Sequence, residues 1–179
     1  NLFPHDGALL LEAEDSEEFL TDTIRPYGEF AVPRRSFFQI NTEMASKLAA
    51  EFLRIVEEVK PEVFIELYCG CGVFSVLAAE VGVGKVYGVE LDADAVRAAN
   101  ENLHEHGLPH CKFLAGDAVR MLGQLPLQTK QRPLMLVDPP RTGLERPVID
   151  ALSRSAAHDL VYVSCGPDTL ARDLALFRQ

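Results

Sequence analysis

The sequence predicts an α/β fold in which a mostly parallel sheet is covered by helices on both faces. From residue 63 onward, short apolar runs typical of strands alternate with longer amphipathic runs typical of helices. Strands that alternate with helices pair in parallel, because each helix returns the chain across one face of the sheet. The composition agrees, since 47% of the 179 residues are hydrophobic and 25% are charged, as in ordinary globular domains.

The first 40 residues differ from the rest and are expected to form a β-rich lead-in, the tail of a central domain. Proline and glycine separate their apolar stretches, and no helical period runs through them. The apolar stretches are Ala8–Leu11, Phe30–Val32 and Phe37–Ile40. Residues 41–179 are then expected to form a second unit that contains the regular alternation.

A helix is predicted at the start of this second unit. Asn41 or Thr42 is a suitable N-cap, and Pro61 cannot continue a helix. Apolar residues at helical spacing predict the face that packs on the core. These residues are Met44, Leu48, Phe52, Ile55, Val56 and Val59.

Five pairs of strand and helix follow. Strands are expected at residues 63–68, 85–90, 111–115, 134–137 and 160–164, and helices at 73–81, 92–106, 117–125, 144–153 and 168–178. Gly107 stands where a helix C-cap glycine belongs. His104 and His106 are expected on a solvated face of the helix at 92–106.

Composition and charge exclude several classes of protein. The net charge of −10 repels phosphate, so this chain alone should bind nucleic acid poorly. Apolar runs reach only about seven residues, against the ~20 needed to span a bilayer, so no membrane association is expected. The four cysteines lack a disulfide pattern and indicate a reducing, cytoplasmic setting.

The carboxyl ends of the predicted strands are where a parallel sheet binds its ligands. After the first strand, Gly70 and Gly72 would let backbone amides approach a ligand closely. A dinucleotide loop would carry a third glycine where Ser75 stands. The stretch Glu66-x-Tyr68-x-Gly70-x-Gly72 instead resembles the S-adenosylmethionine loop of class I methyltransferases, with Tyr68 in place of the first glycine.

Two acidic residues follow the next two strands. Glu90 can accept hydrogen bonds from both hydroxyls of a ribose, and Asp117 can meet an adenine edge. Each could equally be only a helix N-cap. Together with the glycine loop, they indicate a nucleoside cofactor.

The last two strands end in Asp138-Pro139-Pro140 and in Cys165. The acid-Pro-Pro turn resembles amino-directed methyltransferases of nucleic acids, although Arg141 stands where they usually carry an aromatic residue. Cys165 ends a strand and precedes a helix start at Gly166-Pro167, where the helix dipole favours a thiolate. Cys165 is therefore a candidate nucleophile.

Four motifs, in order along the chain, resemble those of the RNA uracil-5 methyltransferase family: 36–41 (SFFQIN), 67–74 (LYCGCGVF), 138–143 (DPPRTG) and 163–173 (VSCGPDTLARD). The resemblance implies a Rossmann-like class I methyltransferase fold, S-adenosyl-L-methionine as cofactor and Cys165 as nucleophile. It also implies cofactor contacts by Gln39, Tyr68, Gly70, Gly72, Glu90, Asp117 and Asp138.

The implied reaction is methyl transfer to C5 of a uridine in rRNA or tRNA through a covalent bond between Cys165 and C6 of the base. RNA would be held largely by regions outside this chain. In the family the general base is a glutamate beyond the cysteine helix, and two further strands close the sheet. Because neither is found before Gln179, the chain is expected to be a fragment without turnover.

Two other functions remain open at this stage. One is an amino-directed nucleic-acid methyltransferase that uses Asp138-Pro139-Pro140, and the other is a cofactor-binding module that does not turn over. A metal site built from Cys69, Cys71 and Cys111 is not expected, because C-x-C without a second paired motif is poor zinc spacing.

Overall fold

The computed structural model describes residues 19–34, 42–125, 132–155 and 157–178. The stretches predicted as strands at residues 8–11 and 37–40, the N-cap candidate Asn41 and the cofactor candidate Gln39 lie outside the described residues. In chain order the elements are β1 (Phe19–Ile24), β2 (Gly28–Pro33), α1 (Thr42–Val59), β3 (Val63–Leu67), α2 (Val73–Glu80), β4 (Lys85–Glu90), α3 (Ala93–Glu105), β5 (Cys111–Ala115), α4 (Ala118–Leu122), β6 (Leu134–Val137), α5 (Arg146–Ser153), β7 (Asp159–Tyr162) and α6 (Pro167–Phe177).

The main sheet has five strands in the order β5-β4-β3-β6-β7. Each neighbouring pair in it is parallel. The predicted α/β fold is thus confirmed. The chain moves outward from β3 to β5 and then returns to the other side of β3 with β6, so the strand order reverses between β3 and β6. In open α/β sheets this reversal is the point at which ligands bind.

Two hydrophobic layers cover the two faces of the sheet. Every residue of the central strand β3 is buried, which a parallel strand between two helical layers requires. Phe64 packs in a cluster with side chains of α1, α2 and α3. Ile65 and Leu67 point to the opposite face and pack with side chains of α4 and α5. Each large side chain buried in this way contributes about 1.5–3 kcal/mol.

The described part of the lead-in, residues 19–34, contains an antiparallel hairpin of β1 and β2 that packs on the main core. Phe30 is fully buried and stacks on the ring of His106, with ring centroids 5.2 Å apart. His106 also lies 2.7 Å from Glu80, between Nδ1 and Oε1, and only 13% of its side chain is exposed. The expectation of a solvated His106 is therefore wrong, because the hairpin covers that end of α3.

Several other expectations differ from the structure. Met44 is 51% exposed, since the buried face of α1 is formed by Ala45, Ala49, Phe52 and Val56. The strand β1 was not predicted, because its apolar residues do not alternate regularly. Strands and helices otherwise end within one to three residues of their predicted limits. Within the described ranges, no helix combines the length and the hydrophobicity that crossing a bilayer needs.

Candidate active site

The residue pairing of the sheet brings the predicted site residues to one edge. Leu67 pairs with Val137, and Val137 pairs with Tyr162, so the segments that follow β3, β6 and β7 start side by side. On the other side of β3, Glu90 pairs with Ala115. The loops that carry the candidate residues therefore line a single carboxyl edge.

The glycine-containing loop after β3 turns sharply through left-handed backbone conformations. Tyr68 has a φ of +63°, Gly70 of +52° and Gly72 of +80°. For a residue with a Cβ this conformation costs about 1–2 kcal/mol, so Tyr68 is held there by its surroundings. A Cβ at Gly70 would point into open space, whereas a Cβ at Gly72 would lie 2.2 Å from Cζ of Phe113. Gly70 thus leaves the loop open to a ligand, and Gly72 is required by internal packing.

Glu90 fastens this loop to the end of β4. Its Oε2 accepts a hydrogen bond from the N–H of Gly70 at 3.0 Å, and its Oε1 accepts from the N–H groups of Leu91 and Asp92. An ionised carboxylate can accept about four hydrogen bonds, so Glu90 retains acceptor capacity. The same side chain can therefore hold the loop and receive a hydroxyl group of a ligand.

Asp117 is the N-cap of the short helix α4. Its Oδ1 accepts a hydrogen bond from the N–H of Arg120 at 2.9 Å. The carboxylate remains exposed at the edge of the sheet, beside the end of β4, where the N–H of Gly116 donates to the carbonyl of Glu90 at 2.8 Å. Capping and contact with a ligand are compatible, since capping uses one of its two oxygens.

Glu66 is a buried carboxyl group under the glycine loop and is not among the predicted site residues. Its Oε2 accepts hydrogen bonds from the N–H and the hydroxyl of Ser75, at 2.9 Å and 2.6 Å. Desolvation raises the pKa of Glu66 to about 8, against an ordinary value of 4.5. The signal in the sequence was an acidic residue within an otherwise apolar strand. Glu66 joins β3 to the first turn of α2 and so supports the loop.

Asp138 stands at the end of β6, next to the strand-order reversal. Its N–H donates to the carbonyl of Leu67 at 3.4 Å, which places it beside the start of the glycine loop. Desolvation raises the pKa of Asp138 to about 6. Unlike Glu66, the side chain of Asp138 accepts no hydrogen bond from the described residues. Its acceptor oxygens are therefore available to a bound molecule.

Cys165 lies at the tip of the turn between β7 and α6. The hydroxyl of Ser164 donates to the carbonyl of Gly166, and the N–H of Gly166 donates to that hydroxyl oxygen, both at 3.1 Å. The hydroxyl of Thr169 donates to the same carbonyl at 2.9 Å. These bonds connect Ser164 and Thr169 to the backbone of Gly166 and so fix the turn. Cys165, which lies between Ser164 and Gly166, is exposed to solvent.

The other three cysteines are in a different state. Cys69, Cys71 and Cys111 are buried free thiols. Desolvation raises the pKa of each thiol, to about 12 for Cys71 and Cys111. They are protonated at neutral pH and closed off from solvent, so only Cys165 combines a free thiol with access to a substrate.

A groove of about 670 Å³ opens at the opposite end of the sheet, next to the turns that lead into β3 and β4. Its lining combines apolar side chains such as Leu53 and Val81 with the charged residues Arg54, Glu57 and Lys60. None of the candidate site residues contributes to it. The carboxyl edge, where the candidate residues lie on neighbouring strand ends, is therefore the candidate active site.

Known proteins resemble this chain in sequence over most of its length. The family model described as tRNA (Uracil-5-)-methyltransferase matches residues 16–179. The 23S rRNA (uracil(747)-C(5))-methyltransferase RlmC of Halothiobacillus neapolitanus is 36% identical over 172 residues, which are 93% of this chain and 45% of that protein. An uncharacterized RNA methyltransferase of Clostridium acetobutylicum is 34% identical over 163 residues, which are 90% of this chain and 34% of that protein.

Solved structures share the fold. The tRNA (uracil-54, C5)-methyltransferase of Pyrococcus abyssi, in complex with S-adenosyl-L-homocysteine, superimposes with a TM-score of 0.72 at 28% identity and covers 89% of this chain and 38% of that one. The precorrin-6y C5,15-methyltransferase of Geobacter metallireducens, with a TM-score of 0.64 at 16% identity over 82% of this chain and 74% of that one, shows the fold alone.

The chain spans about a third to just under a half of the length of the curated relatives it matches. The match nevertheless extends over nearly all of the chain, from before β1 to the last residue, and it includes all five strand ends that carry the candidate residues. The chain belongs to the tRNA (uracil-5-)-methyltransferase family.

Proposed function

We propose that the protein transfers a methyl group from S-adenosyl-L-methionine to C5 of a uridine in RNA, with Cys165 as the covalent nucleophile. The observation that carries the proposal is the state of this thiol, which is exposed at the carboxyl edge of the sheet while the other cysteines are buried. The relatives are named as methyltransferases of rRNA and tRNA uridines, which supports the same class of substrate here.

The described residues suit the cofactor. Tyr68, Gly70 and Gly72 form a loop whose open side faces away from the core, and Glu90 retains acceptor capacity for ribose hydroxyls. Asp117 offers a carboxylate at the neighbouring strand end. When bound there, S-adenosyl-L-methionine supplies an electrophilic methyl group carried on a sulfonium.

The need for a thiolate follows from the chemistry of uracil. C5 is too weak a nucleophile to accept a methyl group directly. A bond from the sulfur of Cys165 to C6 opens the C5–C6 double bond and places negative charge on C5. C5 would then form the new carbon–carbon bond as the bond between the methyl group and the sulfonium breaks, with S-adenosyl-L-homocysteine as the leaving group. Removal of the C5 proton by a general base restores the double bond, and the Cys165 thiolate leaves. The base must be unpaired or flipped out to reach the sulfur.

Asp138 is proposed to contact the cofactor or the uracil edge beside this sulfur. Its carboxyl group lies at the end of β6, adjacent to β7, and its oxygens are free of hydrogen bonds from the described residues. A carboxylate at this place can accept a hydrogen bond from a ring N–H. That contact would orient the base relative to Cys165.

The test uses RNA that contains 5-fluorouridine. In this base fluorine replaces the C5 proton and cannot be removed by a base, so the covalent intermediate is trapped. The full-length protein is incubated with this RNA and S-adenosyl-L-methionine and analysed by mass spectrometry. We expect an adduct on Cys165. The Cys165→Ala variant should form no adduct and should lose methylation of ordinary RNA by at least about 10³-fold, the range seen when a covalent nucleophile is removed.

Cys111→Ala is the matched control, since it removes a buried thiol from the same sheet and should retain the adduct. Methylation retained by Cys165→Ala, or a methyl group found on an exocyclic amine, would favour the amino-directed reaction instead. Binding of S-adenosyl-L-homocysteine without adduct or methylation would favour a cofactor-binding module.

A further inference from the structure

Asp173 on α6 is a fully buried charged group that the proposed chemistry does not use. None of its surface is exposed. Its Oδ2 accepts hydrogen bonds from the N–H of Leu144 at 2.7 Å and from the hydroxyl of Tyr162 at 2.6 Å. Its Oδ1 accepts from Nε and Nη2 of Arg172, at 2.8 Å and 2.6 Å. The carboxylate therefore ties α6 to β7 and to the loop that follows β6.

Arg172 extends the connection along the same loop. Its Nη2 also donates to the carbonyl of Thr142 at 2.9 Å and to that of Leu144 at 3.3 Å. Two adjacent charged residues of one helix thus form three hydrogen bonds with the loop, at Thr142 and Leu144 on either side of Gly143. Charge-assisted bonds of this kind are stronger and more directional than neutral ones.

The loop is shaped to admit this contact. Gly143 has a φ of +78°, and a Cβ built on it would lie 2.6 Å from both Nη2 of Arg172 and Oδ2 of Asp173. Any side chain at this position would push the two charged groups away from the backbone. The absence of a side chain at Gly143 is therefore what lets the loop lie directly on the charged pair.

The same loop also lies against the turn that carries Cys165. The carbonyl of Arg141 is 3.9 Å from the position of a Cβ built on Gly166, the residue after Cys165. Helix α6 begins at Pro167, so the turn that carries Cys165 leads directly into the helix that carries the charged pair. Any displacement of the loop relative to α6 would change the separation between Asp138 and Cys165.

We infer that Asp173, together with Arg172 and Tyr162, is a positioning residue that holds the Asp138 loop in register with the Cys165 turn. This inference rests on the proposed function. Burying an ionised carboxylate is costly, and well-packed apolar residues would stabilise the fold at least as well. A set of directional bonds is therefore better explained by the fixed geometry it imposes than by its contribution to stability.

The electrostatics agree with this role. Desolvation alone would raise the pKa of Asp173, but the hydrogen bonds from Tyr162, Leu144 and Arg172 outweigh it and hold the pKa below the ordinary value. The ionised form of Asp173 is therefore the one that the loop and Arg172 favour.

The test compares Asp173→Asn, Tyr162→Phe and Arg172→Lys in the full-length protein. The rate of adduct formation on RNA with 5-fluorouridine is measured at saturating RNA and cofactor, and the affinity for S-adenosyl-L-homocysteine is measured by calorimetry. A displacement of about 1 Å in a reacting group costs on the order of 10²-fold in rate. We expect a loss of about that size for Asp173→Asn and smaller losses for the two milder variants. Affinity for S-adenosyl-L-homocysteine should change less than about threefold, since Asp138 is the one proposed cofactor contact of the described residues that lies in this loop and the others follow β3, β4 and β5.

Asp150→Asn is the matched control. It makes the same chemical change and also breaks an Asp–Arg pair, the one between Asp150 and Arg146 at 2.8 Å on the exposed face of α5. It should leave the rate of adduct formation unchanged, because exposed pairs of this kind contribute little.

A second measurement does not depend on the chemistry. Hydrogen exchange of the Leu144 amide should accelerate at least tenfold in Asp173→Asn, since the amide loses its buried acceptor. The inference would be overturned if exchange of the Leu144 amide or the rate of adduct formation is unchanged in Asp173→Asn. It would also be overturned if all three variants lose affinity for S-adenosyl-L-homocysteine as much as they lose rate. If Asp173→Asn does not fold, the same outcomes are decided by Tyr162→Phe and Arg172→Lys. A wild-type protein that forms no adduct, but whose Leu144 amide is protected by Asp173, would refute the proposed function and leave the loop contact established.

Discussion

Replacement of Asn102 by Ala should destabilise the protein much more than its place on helix α3 suggests. Asn102 is buried, and its side-chain amide pairs with the backbone N–H and carbonyl of one residue of β2, as the backbone of a neighbouring strand does. Its Oδ1 accepts from the N–H of Ala31 at 2.6 Å, and its Nδ2 donates to the carbonyl of Ala31 at 3.1 Å. Nδ2 also donates to the carbonyl of Cys71 in the glycine loop at 2.9 Å.

The magnitude follows from the groups left without partners. The N–H and carbonyl of Ala31 and the carbonyl of Cys71 lose their hydrogen bonds, and each unsatisfied buried group costs about 1–3 kcal/mol. Ala31 is half-buried, so water replaces part of its loss, and a total of about 3 kcal/mol is expected. For a protein of this size that corresponds to a fall in Tm of roughly 6–12 °C. Because Cys71 belongs to the glycine loop, affinity for S-adenosyl-L-homocysteine should fall as well.

The assay is urea unfolding of the wild type, Asn102→Ala and the control Asn100→Ala. Asn100 lies on the same helix, is exposed and donates one hydrogen bond, to the carbonyl of Val96 at 2.8 Å. Both substitutions gain the same helix propensity, so the difference between them isolates the contacts with the hairpin and the loop. A difference below about 1 kcal/mol would refute the reasoning.

Two further predictions concern the interior of the sheet. Gly88→Ala should destabilise the fold by about 1–3 kcal/mol in urea unfolding, since its Cβ would lie 2.2 Å from Cδ1 of Phe113. Gly123→Ala is the control and should be neutral or slightly stabilising, because a Cβ there has no neighbour closer than 3.7 Å. Equal effects of the two substitutions would contradict the packing argument. The pKa of Glu66 is raised to about 8, so between about pH 4.5 and pH 8 the unfolded chain loses its proton while the folded chain keeps it. The stability of the wild type should therefore fall relative to Glu66→Gln as the pH rises through this window. If the urea-unfolding midpoint changes by the same amount between pH 5 and pH 8 in both proteins, Glu66 is not a buried neutral group.

Much of the main sheet could be predicted because its signals are local. The alternation of apolar strands and amphipathic helices is present in short windows of the sequence, and the strand ends carry their polar residues next to glycine and proline. The sequence accordingly predicts Glu90, Asp117, Asp138 and Cys165 at strand ends, and the structure places these strand ends at one edge of the sheet.

The lead-in and its contacts could not be predicted in the same way. The apolar face of α1 was taken to include Met44, which is exposed, because several helical faces contain apolar residues and only packing selects one. His106 was expected in solvent because nothing near it in the sequence indicates that β2 covers it. The roles of Glu66 and Asp173 were missed for a similar reason, since single acidic residues within apolar or helical stretches have no distinctive local pattern.

By itself, the sequence determined the parallel α/β architecture, the edge of the sheet at which the candidate site residues lie and the cysteine that follows β7, because each of these depends on the order and spacing of neighbouring residues. The tertiary structure decided which thiol is accessible and which polar side chains join distant segments. Asn102 meets Ala31 across 71 residues of sequence, and Asp173 meets Leu144 across 29. Such contacts arise only when the chain has packed, since a buried polar group must be paired with whatever partner the fold brings within reach.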